Sequence, residues 1–89
     1  MKIIYLESTQ DDFLWFETYY LDIFPAGRTK AKQQFLATQS LLKDNPYVGI
    51  ATGEGKARKL KISKTPFSYI YRVKDEHIEI LRVLDDRKR

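Results

Sequence analysis

Arg58, Arg72, Arg82 and His77 are the residues of this sequence whose types could act on a phosphate. Guanidinium groups stabilise phosphoryl oxygens, but cutting RNA through its 2′-hydroxyl also needs a base for that hydroxyl and an acid for the leaving oxygen. Near pH 7 such proton transfer falls to a histidine, a carboxyl of raised pKa or a lysine of depressed pKa. His77 is the single histidine and stands between Glu76 and Ile78 at a turn, where solvent-exposed decoration is the simpler reading. There is no cysteine, which removes disulfides, thiolate nucleophiles and the usual zinc ligands together. A Gly-x-Ser-x-Gly nucleophile elbow is also missing. Neither a cofactor nor a metal is expected. Gly53-Glu54-Gly55-Lys56 invites a phosphate-loop reading. It fails because five residues rather than four separate Gly49 from Gly55, and Ala57 follows Lys56 where a Ser or Thr should hold magnesium.

Two of the arginines lie in the stretch "FSYIYRVKDEHIEILRVL", two apolar runs joined by a charged tetrad. A turn centred on Asp75-Glu76 pairs Val73 with Ile78, Arg72 with Glu79 and Tyr69 with Arg82. Arg72 then reads as a cross-strand partner of Glu79. Arg82 falls with Phe67, Tyr69, Tyr71, Val73, Ile78, Ile80 and Leu84 on the more apolar face. There it could stack on Tyr69, reach Asp85 or hold a partner. A one-residue bulge would break this assignment. Arg58 opens a third strand, expected over residues 57–63, in which Leu60 and Ile62 alternate against Lys59 and Lys61. It is either an edge charge that blocks sheet-to-sheet pairing or a contact to a partner. The closing "DDRKR" reads as a frayed, solvated end.

These strands need a scaffold, and the first half of the chain supplies it. "KIIYL" reads as a strand in an interior sheet position, followed by "STQDD", where Ser8 or Thr9 would cap a helix and Asp11 or Asp12 would face its positive end. Phe13, Phe16, Tyr20 and Phe24 repeat at helical spacing, with Leu14 and Leu21 widening the stripe, until Pro25 and Gly27 stop it. A second helix over "TKAKQQFLATQSLLKD" places Ala31, Phe35, Thr38 and Leu42 on one face and closes at Asn45-Pro46. The glycine-containing segment after Pro46 reads as a loop. The expected fold is α+β in the order β-α-α-β-β-β, a helical hairpin packed on a mainly antiparallel sheet.

The 89 residues make one domain, residues 1–89, with room for a single core. The opening apolar run is too short for a signal peptide or a membrane span, so a cytoplasmic protein with no membrane contact is expected. The net charge of +4 hides a polarised chain: residues 1–27 sum to −4, residues 28–74 to +9 and the last fifteen to −1. That polarity suits an acidic protein or nucleic acid, and equally a basic face that only keeps the chain soluble.

Leu41-Leu42, Asn45-Pro46, Gly49, Arg58-x-Leu60, "PFSYIYRV" and "IEILRV", in this order and spacing, resemble the ParE branch of the ParE/RelE superfamily of type II toxin–antitoxin toxins. The resemblance covers nearly the whole chain. It implies a toxin neutralised by a cognate antitoxin, whose acidic and partly disordered segment would suit the basic stretch. Toxins similar to ParE poison DNA gyrase. Those similar to RelE cut messenger RNA in the ribosome, with basic residues on the sheet and a proton-transferring tyrosine or histidine near the C-terminus. Here Asp85 stands where many ParE-like chains have a histidine, and no C-terminal tyrosine or histidine follows. The expectation is a non-catalytic gyrase inhibitor whose antitoxin or target contacts Arg58, Lys59, Lys61, Arg72, Arg82, Asp85 and Arg87. The alternatives are a ribosome-dependent mRNA interferase, with Arg58, Arg72 and Arg82 on the scissile phosphate, and a degenerate member that only binds antitoxin.

Overall fold

Alternation in the last two strands decides where the core lies. The computed structural model describes residues 1–87, so Lys88 and Arg89, which belong to the tail expected to fray, lie outside the described residues. Strand β4 (Phe67–Lys74) and strand β5 (His77–Asp85) form the antiparallel hairpin at the centre. β1 (Lys2–Tyr5) runs parallel to β5, and β3 (Arg58–Lys61) runs antiparallel to β4. A two-residue strand β2 (Ile50–Ala51) completes the five-stranded order β1-β5-β4-β3-β2. β2 falls in the glycine-containing stretch expected to be loop. β1, expected inside the sheet, is an edge. β3 lies between two strands, so Arg58 does not guard one.

Between β1 and β2 the chain forms the helical hairpin. A 3-10 turn (Glu7–Thr9) leads into helix α1 (Gln10–Thr18), which continues as a π turn (Tyr19–Ile23). Pro25, which cannot donate a helical hydrogen bond, opens a 3-10 turn (Pro25–Gly27) that reverses the chain into helix α2 (Arg28–Asp44). Phe16, Tyr20, Ala31 and Leu42 from the helices meet Ile62, Phe67, Tyr69, Tyr71, Ile78, Ile80 and Val83 in one core. Leu14, Leu21 and Phe24 do not join it and remain exposed. The aromatic stripe is narrower than its spacing promises, because of α1 and its π turn only Phe16 and Tyr20 are buried, while Phe13, Trp15 and Tyr19 pack against the core partly exposed.

Down the hairpin, Val73 opposes Ile78 and Arg72 opposes Glu79, as the turn predicts, but Tyr71 opposes Ile80 while Ile70 opposes Arg82. Leu81 is the extra residue of a β-bulge. Every side chain beyond it changes face: Val83 and Asp85 turn inward, and Arg82 and Leu84 turn to the face away from the helices. The expected positions of Arg82 and Leu84 on the apolar face are therefore wrong. The Tyr69 hydroxyl meets Tyr5 at 3.2 Å instead, and Tyr5 donates to Gln39 at 2.6 Å.

The loop after α2 is pinned from below. Tyr71 is fully buried, and its hydroxyl accepts the Gly49 N–H at 2.9 Å. A Cβ at Gly49 would stand 2.7 Å from that hydroxyl and 2.9 Å from the Lys59 carbonyl oxygen, so only glycine fits. Tyr71→Phe removes the acceptor and leaves a buried N–H unpaired, for an expected loss of about 1–3 kcal/mol in urea unfolding. A loss near zero would show that the loop re-pairs elsewhere.

Candidate functional site

The second half of β5 is built differently from the first. β1 covers its edge as far as Ile80, where the Leu6 N–H donates to the Ile80 carbonyl at 3.1 Å. Beyond that point the side chains of the first helical segment take over. Ser8 donates to the Leu81 carbonyl at 2.7 Å, and Asp12 accepts the Val83 N–H at 2.9 Å. The Trp15 indole donates to Asp85 at 2.8 Å, and the Tyr19 ring lies under the Arg87 guanidinium at 4.3 Å. Positions 8, 12, 15 and 19 run along one side of the helical segment and meet positions 81, 83, 85 and 87, every second residue of β5 and of the turn that follows it. Three or four residues of helix rise about 4.5–6 Å and two residues of strand about 6.6 Å, so the two periods stay nearly in step. Ser8 and Thr9 consequently do not cap the helix: Ser8 serves the strand, and Thr9 donates back to the Leu6 carbonyl at 2.6 Å.

Arg82 and Arg87 are both committed to this seam. Arg82 grips Asp12 with two nitrogens at 2.7 and 2.8 Å, rather than reaching Tyr69 or Asp85. Asp85 is tucked in with its side chain only 3% exposed. It takes the Arg87 guanidinium at 2.9 and 2.8 Å as well as the Arg87 N–H at 3.0 Å. The Arg87 hydrogen bond holds the Asp85 carboxyl far below the usual carboxylate range, against the opposing effect of burial and with further help from Trp15. The segment expected to fray is tied down through Arg87.

On the sheet face away from the helices, Arg72 donates to Glu79 at 2.6 Å, and His77 Nε2 lies 3.2 Å from the other carboxylate oxygen. The Arg72 hydrogen bond, then that of His77, lowers the Glu79 pKa. Lys59 and Lys61 converge on Asp86, each at 2.9 Å, and Ser68 adds a third donor at 2.7 Å. Burial works against ionisation of Asp86, but these donors keep its carboxyl below the ordinary value. Arg58 sits on the helix side of the sheet, opposite Tyr71. There it donates to the carbonyls of Gly49 and Tyr47 at 2.8 and 3.3 Å and covers the Tyr47 ring at 5.2 Å.

No family model matches the sequence, and neither does any curated protein. Among solved structures, a chain described as "Chromosomal ParDE TA system from P. aeruginosa" superposes with a TM-score of 0.73 at 27% identity, covering 93% of this chain and 92% of that one. The chain is ParE-like. Its two helices on a five-stranded mixed sheet are the α+β arrangement expected from the motifs.

In this ParE-like chain the seven expected contact residues do not form one site. Arg72 and Arg82 share the open sheet face on neighbouring strands, whereas Arg58 points to the other side. Lys59 and Lys61 lie on the same open face as Arg72 and Arg82, gathered around Asp86, and Asp85 with Arg87 belongs to the helix seam. Sequence reasoning passed over Asp12, Trp15 and Asp86, the residues that engage these cations or Asp85. The spacing of Ser8, Asp12, Trp15 and Tyr19, each carrying a hydrogen-bonding group, beside the aromatic stripe was the available signal. Among the described residues, no helix is long and apolar enough to cross a membrane.

Proposed function

We propose that this ParE-like chain is the toxin of a type II toxin–antitoxin pair, acting on DNA gyrase by binding and held inactive by a cognate antitoxin. The observation that carries this reading is the match over nearly the full length of both chains to one from a ParDE system. The arginine geometry supports binding over phosphate cleavage. Arg58 lies on the opposite side of the sheet from Arg72 and Arg82, and the latter two are engaged by Glu79 and Asp12. A scissile phosphate would have to break two charge-assisted pairs to gather them. The acidic antitoxin segment is assigned to the cations whose side chains stay about half exposed, Lys59 and Lys61 among them, where charge complementarity speeds association.

Purified chain added to gyrase and relaxed plasmid is expected to block supercoiling and to trap cleaved complexes, with relief by the antitoxin encoded beside it. Unchanged supercoiling at saturating chain would sink the gyrase assignment. Growth arrest by the chain alone, reversed by co-expression of the antitoxin, tests the toxin assignment separately.

A further inference from the structure

Arg58 differs from the other arginines around the sheet in what holds it. Arg72, Arg82 and Arg87 each face a carboxylate, whereas Arg58 donates through Nη1 alone to the neutral carbonyls of Tyr47 and Gly49. Among the described residues Arg58 makes no ion pair, and its Nε and Nη2 have no hydrogen-bond partner. Those two nitrogens form the edge of a guanidinium that takes two oxygens of one anion. Arg58 lines a cleft of about 420 Å³, with Lys56 as its second charge and Tyr47, Ala51 and Val73 among its walls. Among the described residues, no carboxylate lines it. The Gly53–Lys56 loop, which lacks the spacing of a phosphate loop, reverses through Gly53 and Gly55 at φ 86° and 58° and delivers Lys56 to this cleft. Lys56 and Val73 also line a neighbouring hollow with Arg72 and Lys74 against one acid, Asp75, so the potential along this end of the sheet is positive.

We propose that this cleft binds a mononucleotide, its phosphate taken by the unpartnered edge of Arg58 and by Lys56, and its base laid against Tyr47. Arg58 is part-buried, and a charge withdrawn from water without a counter-charge gains most from an anion brought to it. Two backbone carbonyls and the Tyr47 ring, 5.2 Å below, already fix its position. Little side-chain freedom is then lost when an anion arrives. The volume lies in the range of small-molecule sites, about 300–1,000 Å³, and is more than a lone phosphate fills. Tyr47 is 64% exposed, which leaves aromatic surface for a base, and such stacking accepts any base because each has a π face. The inference is independent of the gyrase assignment.

Isothermal titration calorimetry on the full chain at low salt tests it. Adenosine 5′-monophosphate and uridine 5′-monophosphate are each expected to saturate one site, and adenosine or inorganic phosphate alone should bind about tenfold more weakly or worse. Arg58→Lys keeps the charge but loses the fork, and should weaken both nucleotides about tenfold or more. Because Arg58 also holds the Tyr47 and Gly49 carbonyls, Lys56→Gln is the second variant. Lys56 is exposed and makes no ion pair among the described residues. Its loss should weaken binding about threefold or more and leave circular dichroism unchanged. Lys30→Gln removes the same charge from an exposed position on α2 and should leave the affinity within about twofold. Failure of either nucleotide to saturate the site, inorganic phosphate that binds as tightly as the nucleotides, or equal weakening by Lys30→Gln and Lys56→Gln would overturn the proposal.

Discussion

Phe67→Ala is expected to lower the unfolding free energy by about 3–5 kcal/mol, the range for removing a buried aromatic ring. Phe67 is fully buried at the start of β4, and three rings from the helical segment surround it: Phe16 at 4.9 Å, Tyr19 at 5.8 Å and Tyr20 at 6.2 Å between centroids. Its loss removes transfer free energy and also opens a hollow that aromatic neighbours cannot collapse into without leaving their edge-to-face geometry. At about 0.05–0.15 kcal/mol per residue, a chain of this length has roughly 4–13 kcal/mol in total. The substitution therefore removes a large share and should leave the variant partly unfolded if the total lies near the lower bound. Leu36→Ala, at a position 60% exposed, should cost less than about 0.5 kcal/mol in the same urea titration. Similar losses for the two would mean that the sheet does not anchor the helices through Phe67.

The sequence carried the element order apart from the short β2, the helical hairpin, the turn end of the β4–β5 hairpin and the Arg72–Glu79 pair, because each depends on periodicity or on a turn within a short window. The bulge at Leu81 left no such trace. Ile80, Leu81, Val83 and Leu84 are all apolar, so alternation cannot say which of them turns inward, and a single extra residue moved Arg82 to the opposite face. An arginine on the apolar face would need a partner there, and that need disappears with the register. Asp12, which holds Arg82, and Trp15, which holds Asp85, each lie 70 residues away in sequence. A local pattern cannot announce such pairs, although the hydrogen-bonding groups of Ser8, Asp12, Trp15 and Tyr19 at helical spacing marked a face that needed one. Asp86 was hidden for a related reason. It lies just beyond β5 and is held by Lys59 and Lys61 of β3 together with Ser68 of β4, so its role appears only when three strands are side by side.

Asp85→Asn is expected to cost about 2–3 kcal/mol at pH 7, because the substitution removes the charge from a buried acceptor of charge-assisted hydrogen bonds. The Arg87 side chain is 47% exposed, so solvent screening keeps the figure below that of a fully buried pair. The pH dependence gives the prediction its sharper form. Asp85 titrates below its ordinary value in the folded chain, chiefly through Arg87. In acid the unfolded state consequently binds its proton first. The stability contributed by Asp85 is complete above the unfolded carboxyl value near 3.9 and is lost as pH falls toward the folded value. The wild-type advantage over Asp85→Asn should therefore hold between about pH 5 and pH 7 and shrink steadily below about pH 4. Taking the difference between the two proteins cancels Glu79 and Asp86, whose carboxyls are also held low but are unchanged in the variant. An advantage that stayed constant down to pH 2 would show that Asp85 contributes through shape and not through charge. A loss confined to acid would leave the seam between α1 and β5 as an electrostatic one, in which Arg87 and Arg82 hold the helix to the strand that β1 leaves uncovered.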